Sequence, residues 1–169
     1  MIRPDVNVLV SAHREDAREH PRYRRWLEGV VNGPQGFGLS DLVLSGFLRV
    51  VTHPRVFSPP TDLAVALDDL DTLLDSPSLT MLGNGPSHRG HLRFTVLGGR
   101  AIGNLAHDAH IAALLREHGV REIWTTDRDF SRFPGLGLRD PFSPPALRER
   151  SSGYRLGQGG RPHAGPRRV

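Results

Sequence analysis

Over residues 1–142 the apolar positions fall into two rhythms: stretches of helical period, and short β-branched or aromatic runs between them. Residues 1–4 read as a very short strand that passes an acid and enters an apolar helix at Val6. His20-Pro21 opens a second helix through Val31, with Tyr23, Trp26, Leu27, Val30 and Val31 on its core face and Asn32-Gly33-Pro34 as its stop. A strand over 35–39 follows, and then a strongly apolar helix over 42–51 capped by Ser40 or Asp41. Thr61 opens a helix through Leu74. Leu63, Ala66, Leu67, Leu70 and Leu74 share one of its faces, and Asp62, Asp68, Asp69, Asp71 and Asp75 give it a solvated side. The pattern then predicts a strand over 79–82, a helix over 86–97 and a flexible joint at Gly98-Gly99-Arg100. A helix runs from an Asn104 cap to His118, with Gly119 as its stop. Strands over 122–126 and 136–139 flank a turn anchored by Phe130 and Phe133. Strands alternating with helices predict an α/β fold with a mainly parallel central sheet.

One residue breaks the pattern. At about 100° per residue, Asp108 falls inside the apolar arc of Leu105, Ala109, Ile111, Ala112 and Leu115, whereas His107, His110 and Glu117 fall on the opposite, solvated side. A carboxylate on a core-seeking face is costly unless it is paired or holds a cation. A second acid, Asp127, ends the strand that follows, at the carboxyl edge where ligands sit in open α/β sheets. A third, Asp5, occupies the same kind of junction at the first strand, where capping by Asp5 or Asn7 is the simplest role. Two carboxylates about 4 Å apart repel by roughly 4 kcal/mol at an effective dielectric of about 20, and a hard divalent cation relieves that repulsion. An all-oxygen site favours Mg²⁺ or Mn²⁺, and such a metal can activate water against a phosphodiester. His88 and His91, three apart, read as surface histidines for want of a third ligand.

Composition narrows the classes. With no cysteine, thiolate metal sites, disulfides and Cys nucleophiles are excluded. No stretch has the length and hydropathy of a membrane span and no signal pattern opens the chain, so a cytoplasmic protein is expected. There is no GxSxG elbow for a serine hydrolase. A phosphatase with an aspartate nucleophile would want a second acid two residues after Asp5, where Asn7 stands. The net charge of +4 is carried by residues 143–169, whose six Arg against one Glu leave 1–142 at −1. That Arg/Gly/Pro-rich stretch is expected to be a disordered tail, outside a single domain over 1–142.

The segments DVNVLVSA, LSGFLRVVTHPRVF, GNLAHDAHIAALLREHG and TTDRDFSRFPGLGLRDPF, in this order and spacing, resemble those of a PIN-domain ribonuclease. More narrowly, they resemble a VapC-type toxin of a type II toxin–antitoxin pair. The resemblance implies a three-layer α/β/α fold and a Mg²⁺-dependent endoribonuclease, inhibited by a small VapB-type antitoxin and assembled as a homodimer. Carried over by position, it makes Asp5, Asp108 and Asp127 the metal-holding catalytic acids. Asn7 would orient the first of them, and Asp129 would support the set. The family's remaining acid, a Glu before Phe-Leu-Arg, falls on Gly46. Asp41, five residues upstream, is the available substitute, although capping the helix explains it equally well. The departure at Gly46 leaves a second reading open, that of a catalytically weakened PIN domain that binds RNA or protein. On this view, restoring a glutamate at Gly46 would tell a silenced site from a narrow target.

Overall fold

Residues 2–4 enter the middle of the sheet. The computed structural model describes residues 1–142; the expected tail over 143–169 lies outside the described residues. Ile2 bridges in parallel to Phe37 and Pro4 to Trp124, so residues 2–4 lie between β1 (Phe37–Leu39) and β3 (Glu122–Trp124). The outer places go to β2 (Leu79–Met81), parallel to β1, and β4 (Gly137–Arg139), parallel to β3. Backbone bonds from Gly38 N–H to Ile2 O and from Trp124 N–H to Arg3 O hold the central segment on both sides. In chain order the strands thus lie third, second, first, fourth, fifth. The direction of winding reverses between residues 2–4 and β3, and that is where a parallel sheet opens a crevice at its carboxyl edge.

Helices cover the sheet on both faces, as the complete burial of Phe37, Gly38 and Leu39 in β1 requires. The expected three-layer α/β/α arrangement is the fold observed. Helix α1 (Val6–His13) packs on both α2 (His20–Val31) and α3 (Asp41–Val51), and α3 on α4 (Leu63–Leu74), while α5 (His88–Gly99) packs mainly on α6 (Leu105–Glu117). Phe37, Leu39, Val8, Leu9, Ile111, Leu114, Ile123 and Phe130 form the centre of the core, each at most 2 % exposed. Ser40 is the residue that caps α3, accepting from Val43 N–H.

Several expectations are corrected. The apolar face assigned to α4 is half realised: Ala66 and Leu70 are buried, but Leu63, Leu67 and Leu74 are exposed. Its aspartates are not all merely solvated, since Asp62 caps the helix through Ala64 N–H and Asp69 pairs with the His13 ring at 2.5 Å. Gly98-Gly99-Arg100 is no flexible joint. Arg100 adopts a left-handed φ of 50° that ends α5, and a Cβ on Gly99 would stand 2.7 Å from the Phe133 ring. Asn104 precedes α6 without a side-chain cap bond.

α6 departs most from its expected exposure, because α5 covers the face assigned to solvent. The Glu117 side chain is only 9 % exposed. It accepts from the Gly85 and Ser87 amides and from the His88 ring, and together these bonds hold its carboxyl below the ordinary range despite the opposing effect of burial. His88 is itself buried, not a surface residue, and its ring lies 4.8 Å from that of His110.

The central segment also carries an unpaired charge. Arg3 is 5 % exposed, its Nε has no partner, and burial lowers its pKa to about 10. Its stem leaves no room beyond a glycine on the neighbouring strand: a Cβ on Gly38 would lie 2.7 Å from Arg3 Nε. Arg3→Met keeps the stem and removes the charge. It is expected to raise the unfolding free energy by about 1–4 kcal/mol, read from urea denaturation midpoints.

Candidate active site

The crevice at the winding reversal receives Asp5 from the end of residues 2–4 and Asp127 from the loop after β3. Asp5 occupies the N-cap position of α1 without a side-chain capping bond to the second or third amide in good geometry, although the first amides of the helix lie close to its carboxylate. It turns instead to Thr125, whose Oγ1 donates to Asp5 Oδ2 at 2.9 Å. The same hydroxyl accepts from Asn7 Nδ2 at 3.1 Å and from the Asp127 amide at 2.9 Å. One donor and two acceptor positions are thus all used. Asp127 in turn starts a 3-10 turn over Arg128–Arg132, accepting from the Asp129 amide at 2.8 Å.

Thr125 is the residue that reading the sequence missed. It looked like one more β-branched strand position. Its period-2 partner Ile123 is 1 % exposed and Thr125 itself 2 %, and a buried hydroxyl at the carboxyl end of a parallel strand needs polar partners. Thr125→Val keeps the shape and removes all three bonds. It is expected to lower metal affinity and turnover by about 10–100-fold, whereas Thr125→Ser retains most of both. Titration calorimetry with Mn²⁺ and cleavage assays measure the two.

Asp108 stands half-buried in the first turn of α6, where a helix N-terminus favours a carboxylate. Burial raises its pKa to about 6, and the charges of Asp5, Asp127 and Asp129 push the same way while Arg49 opposes them. Asp5, 4 % exposed, is also raised to about 6, chiefly by burial with a further push from Asp127; the amides of Val6 and Asn7 and the Thr125 hydroxyl oppose the rise. Asp108 thus lies within reach of the charges of Asp5 and Asp127, and Asp5 within reach of that of Asp127. Asn7 reaches the group through Thr125, and Asp129, exposed and 3.9 Å from Arg132, lies at its edge. Asp41 is exposed at the start of α3 and is not among the charges that shift either acid.

Gly46 is buried on the face of α3 that meets the site. A Cβ there would lie 2.8 Å from Val6 Cγ2 and 3.2 Å from His107 Nε2. His107, expected on a solvated side, is half-buried, with Nε2 out of water and unpartnered. Burial, and then Arg49, lower its pKa, which favours the neutral ring.

The donor set suits a hard cation: carboxylate oxygens, two of them raised toward neutrality by burial and, less, by neighbouring acids. Among the described residues no group of three or more His, Asp or Glu side chains is already placed to hold a metal ion. Among the same residues no helix is long and apolar enough to cross a membrane.

A parallel α/β sheet with aspartates gathered at the reversal of its winding defines a class. The chain belongs to the PIN-domain family, whose model matches residues 2–136. Within that family its relatives are VapC ribonucleases. It is 43 % identical over 141 residues to ribonuclease VapC43 of Mycobacterium tuberculosis, covering 83 % of this chain and 95 % of the relative. It is 36 % identical over 139 residues to ribonuclease VapC48 of the same organism, covering 82 % and 96 %. Among solved structures the fold is similar to VapBC2 from Rickettsia felis bound to a promoter DNA fragment, with a TM-score of 0.60 and 21 % identity over 82 % of this chain and 98 % of that one. It is likewise similar to the sarcin-ricin loop cleaving toxin VapC20 of M. tuberculosis, with a TM-score of 0.59 and 16 % identity over 83 % and 100 %. PIN-domain VapC ribonucleases are in general metal-dependent.

Proposed function

We propose that this chain is a VapC-type endoribonuclease, the toxin of a toxin–antitoxin pair, which hydrolyses RNA phosphodiesters with Mg²⁺ or Mn²⁺ held by Asp5, Asp108 and Asp127. The observation that supports the reading is the placing of Asp5 and Asp127 at the carboxyl edge of the sheet, joined through the Thr125 hydroxyl, with Asp108 near enough to feel both charges. Bound there, the cation supplies a water activated for attack and charge neutralisation on the phosphodiester. The chain's own groups do the rest. Thr125 holds the Asp5 carboxylate and the Asp127 amide in register, and Asn7 fixes the hydroxyl that does so. The partner is a small VapB-type antitoxin in the cytoplasm. Leu63, Val65 and Leu67 stand exposed on α4, and a separate groove of about 740 Å³ is lined by Leu27, Val31, Phe47 and Leu73; these apolar surfaces support the assignment. Phe94, Leu97 and Ile102, exposed at the end of α5, offer a second apolar set for the homodimer.

A second reading, binding without turnover, is favoured by Gly46, which supplies no carboxylate. The full chain incubated with a panel of structured RNAs in Mg²⁺, in Mn²⁺ and in EDTA decides between them. Cleavage in the metals and none in EDTA is the expected result. Retention of RNA by a folded chain that cleaves no member of the panel in either metal would overturn the enzymatic reading.

A further inference from the structure

We propose that Arg49 is the backbone-phosphate ligand of this site, its guanidinium taking the non-bridging oxygens of the RNA phosphodiester beside the aspartates. The inference deepens the ribonuclease reading above and rests on it. Aspartates gathered in one crevice repel a polyanion, so a site that admits RNA needs a cationic group at its rim as well as a metal.

The geometry of α3 points to Arg49. Position 46 faces Val6 and His107, the immediate neighbours of Asp5 and Asp108. Position 49 lies three residues on, one turn along on the same side of the helix. It sits in the last turn of α3 with an exposed side chain, one turn on from the contact that position 46 makes with the residues beside Asp5 and Asp108.

Arg14, Arg22, Arg24 and Arg139 are each held by a carboxylate within 2.9 Å; Arg49, like several other arginines, makes no ion pair among the described residues, and it is the one arginine on α3. A planar guanidinium donating two parallel N–H bonds matches two oxygens of a phosphodiester, a geometry a lysine ammonium cannot reproduce.

Binding of a fluorescein-labelled single-stranded oligoribonucleotide of mixed sequence to the full chain, followed by anisotropy in EDTA over a range of salt concentrations, tests this without turnover. The arginines of 143–169 contribute equally to every variant and cancel in the comparison. Arg49→Gln is expected to weaken binding several-fold and to reduce the slope of log affinity against log salt by about 0.7, the share of one phosphate contact on a single strand. Arg49→Lys is expected to keep the slope and lose part of the affinity. Since residue 49 is exposed, thermal melts of both variants should overlay the parent. If the parent binds RNA and Arg49→Gln leaves affinity and slope unchanged, the assignment of Arg49 is overturned while the ribonuclease reading stands. If the parent binds no RNA in EDTA, the role of Arg49 falls, while cleavage of the RNA panel in Mg²⁺ or Mn²⁺ decides the ribonuclease reading separately.

Discussion

Asp108→Asn is expected to lower metal-dependent RNA cleavage by at least about 100-fold, the scale on which losing one charge-stabilising group acts, while making the metal-free protein more stable at neutral pH. Both effects come from the same carboxylate, which burial and then the neighbouring acids hold above its ordinary pKa. The folded-state pKa of Asp5 and of Asp108 is raised from 3.8 to about 6, so between those values the folded chain keeps protons that the unfolded chain has released. Stability of the metal-free protein therefore falls as pH rises through this window and reaches its floor above about 6. Asp5, almost fully buried, accounts for about 2–3 kcal/mol of that fall; Asp108, half open to solvent and screened by it, contributes less. A divalent cation binds the deprotonated carboxylates, so Mg²⁺ or Mn²⁺ should raise the melting temperature markedly at pH 7 and hardly at pH 5. Melts at both pH values, with and without metal, check this. Asp5→Asn and Asp108→Asn should flatten both the pH dependence and the metal response. A metal-free melting temperature that does not change between pH 4.5 and 7 would show that the carboxylates do not oppose one another in solution.

The parts of the molecule legible in the sequence were those set by local rules. Periodicity located every helix and strand to within a few residues, and it singled out Asp108 because one polar residue in an apolar arc needs no tertiary information to be noticed. Asp5 and Asp127 were visible as acids at strand ends, since a parallel sheet brings its carboxyl edges together whatever the loops do. What escaped depends on contacts between distant segments. Thr125 joins three residues through one hydroxyl, two of them about 120 positions away. Glu117, His107 and His110 looked solvated because helical phase alone does not reveal that α5 lies over Glu117 and His110 and α3 over His107. Leu63, Leu67 and Leu74 share an apolar phase with Ala66 and Leu70, yet only the last two meet the core, and an apolar stripe wider than its contact reads the same in sequence.

Gly46→Glu, which restores a carboxylate at the one acid position the chain lacks, is expected to destabilise the protein by about 1–3 kcal/mol and to leave cleavage no faster. The reason is space. The new Cβ would stand 2.8 Å from Val6 Cγ2, and Val6 is a β-branched residue with one preferred rotamer in a helix, directly after Asp5. It would also stand 3.2 Å from His107 Nε2, directly before Asp108. A wedge at this point moves the two acids it is meant to assist. The gain of up to about 1 kcal/mol in helix propensity over glycine offsets only part of the strain. Shortening the ring opens the position: in Gly46→Glu with His107→Ala, the stability cost should shrink and cleavage should rise above that of His107→Ala alone. Denaturation midpoints and initial rates for the parent, both single variants and the double variant close the cycle. A strong favourable coupling is the expected outcome, with the imidazole and the carboxylate competing for one volume. Faster cleavage by Gly46→Glu alone, with no loss of stability, would show instead that Val6 and His107 yield without cost.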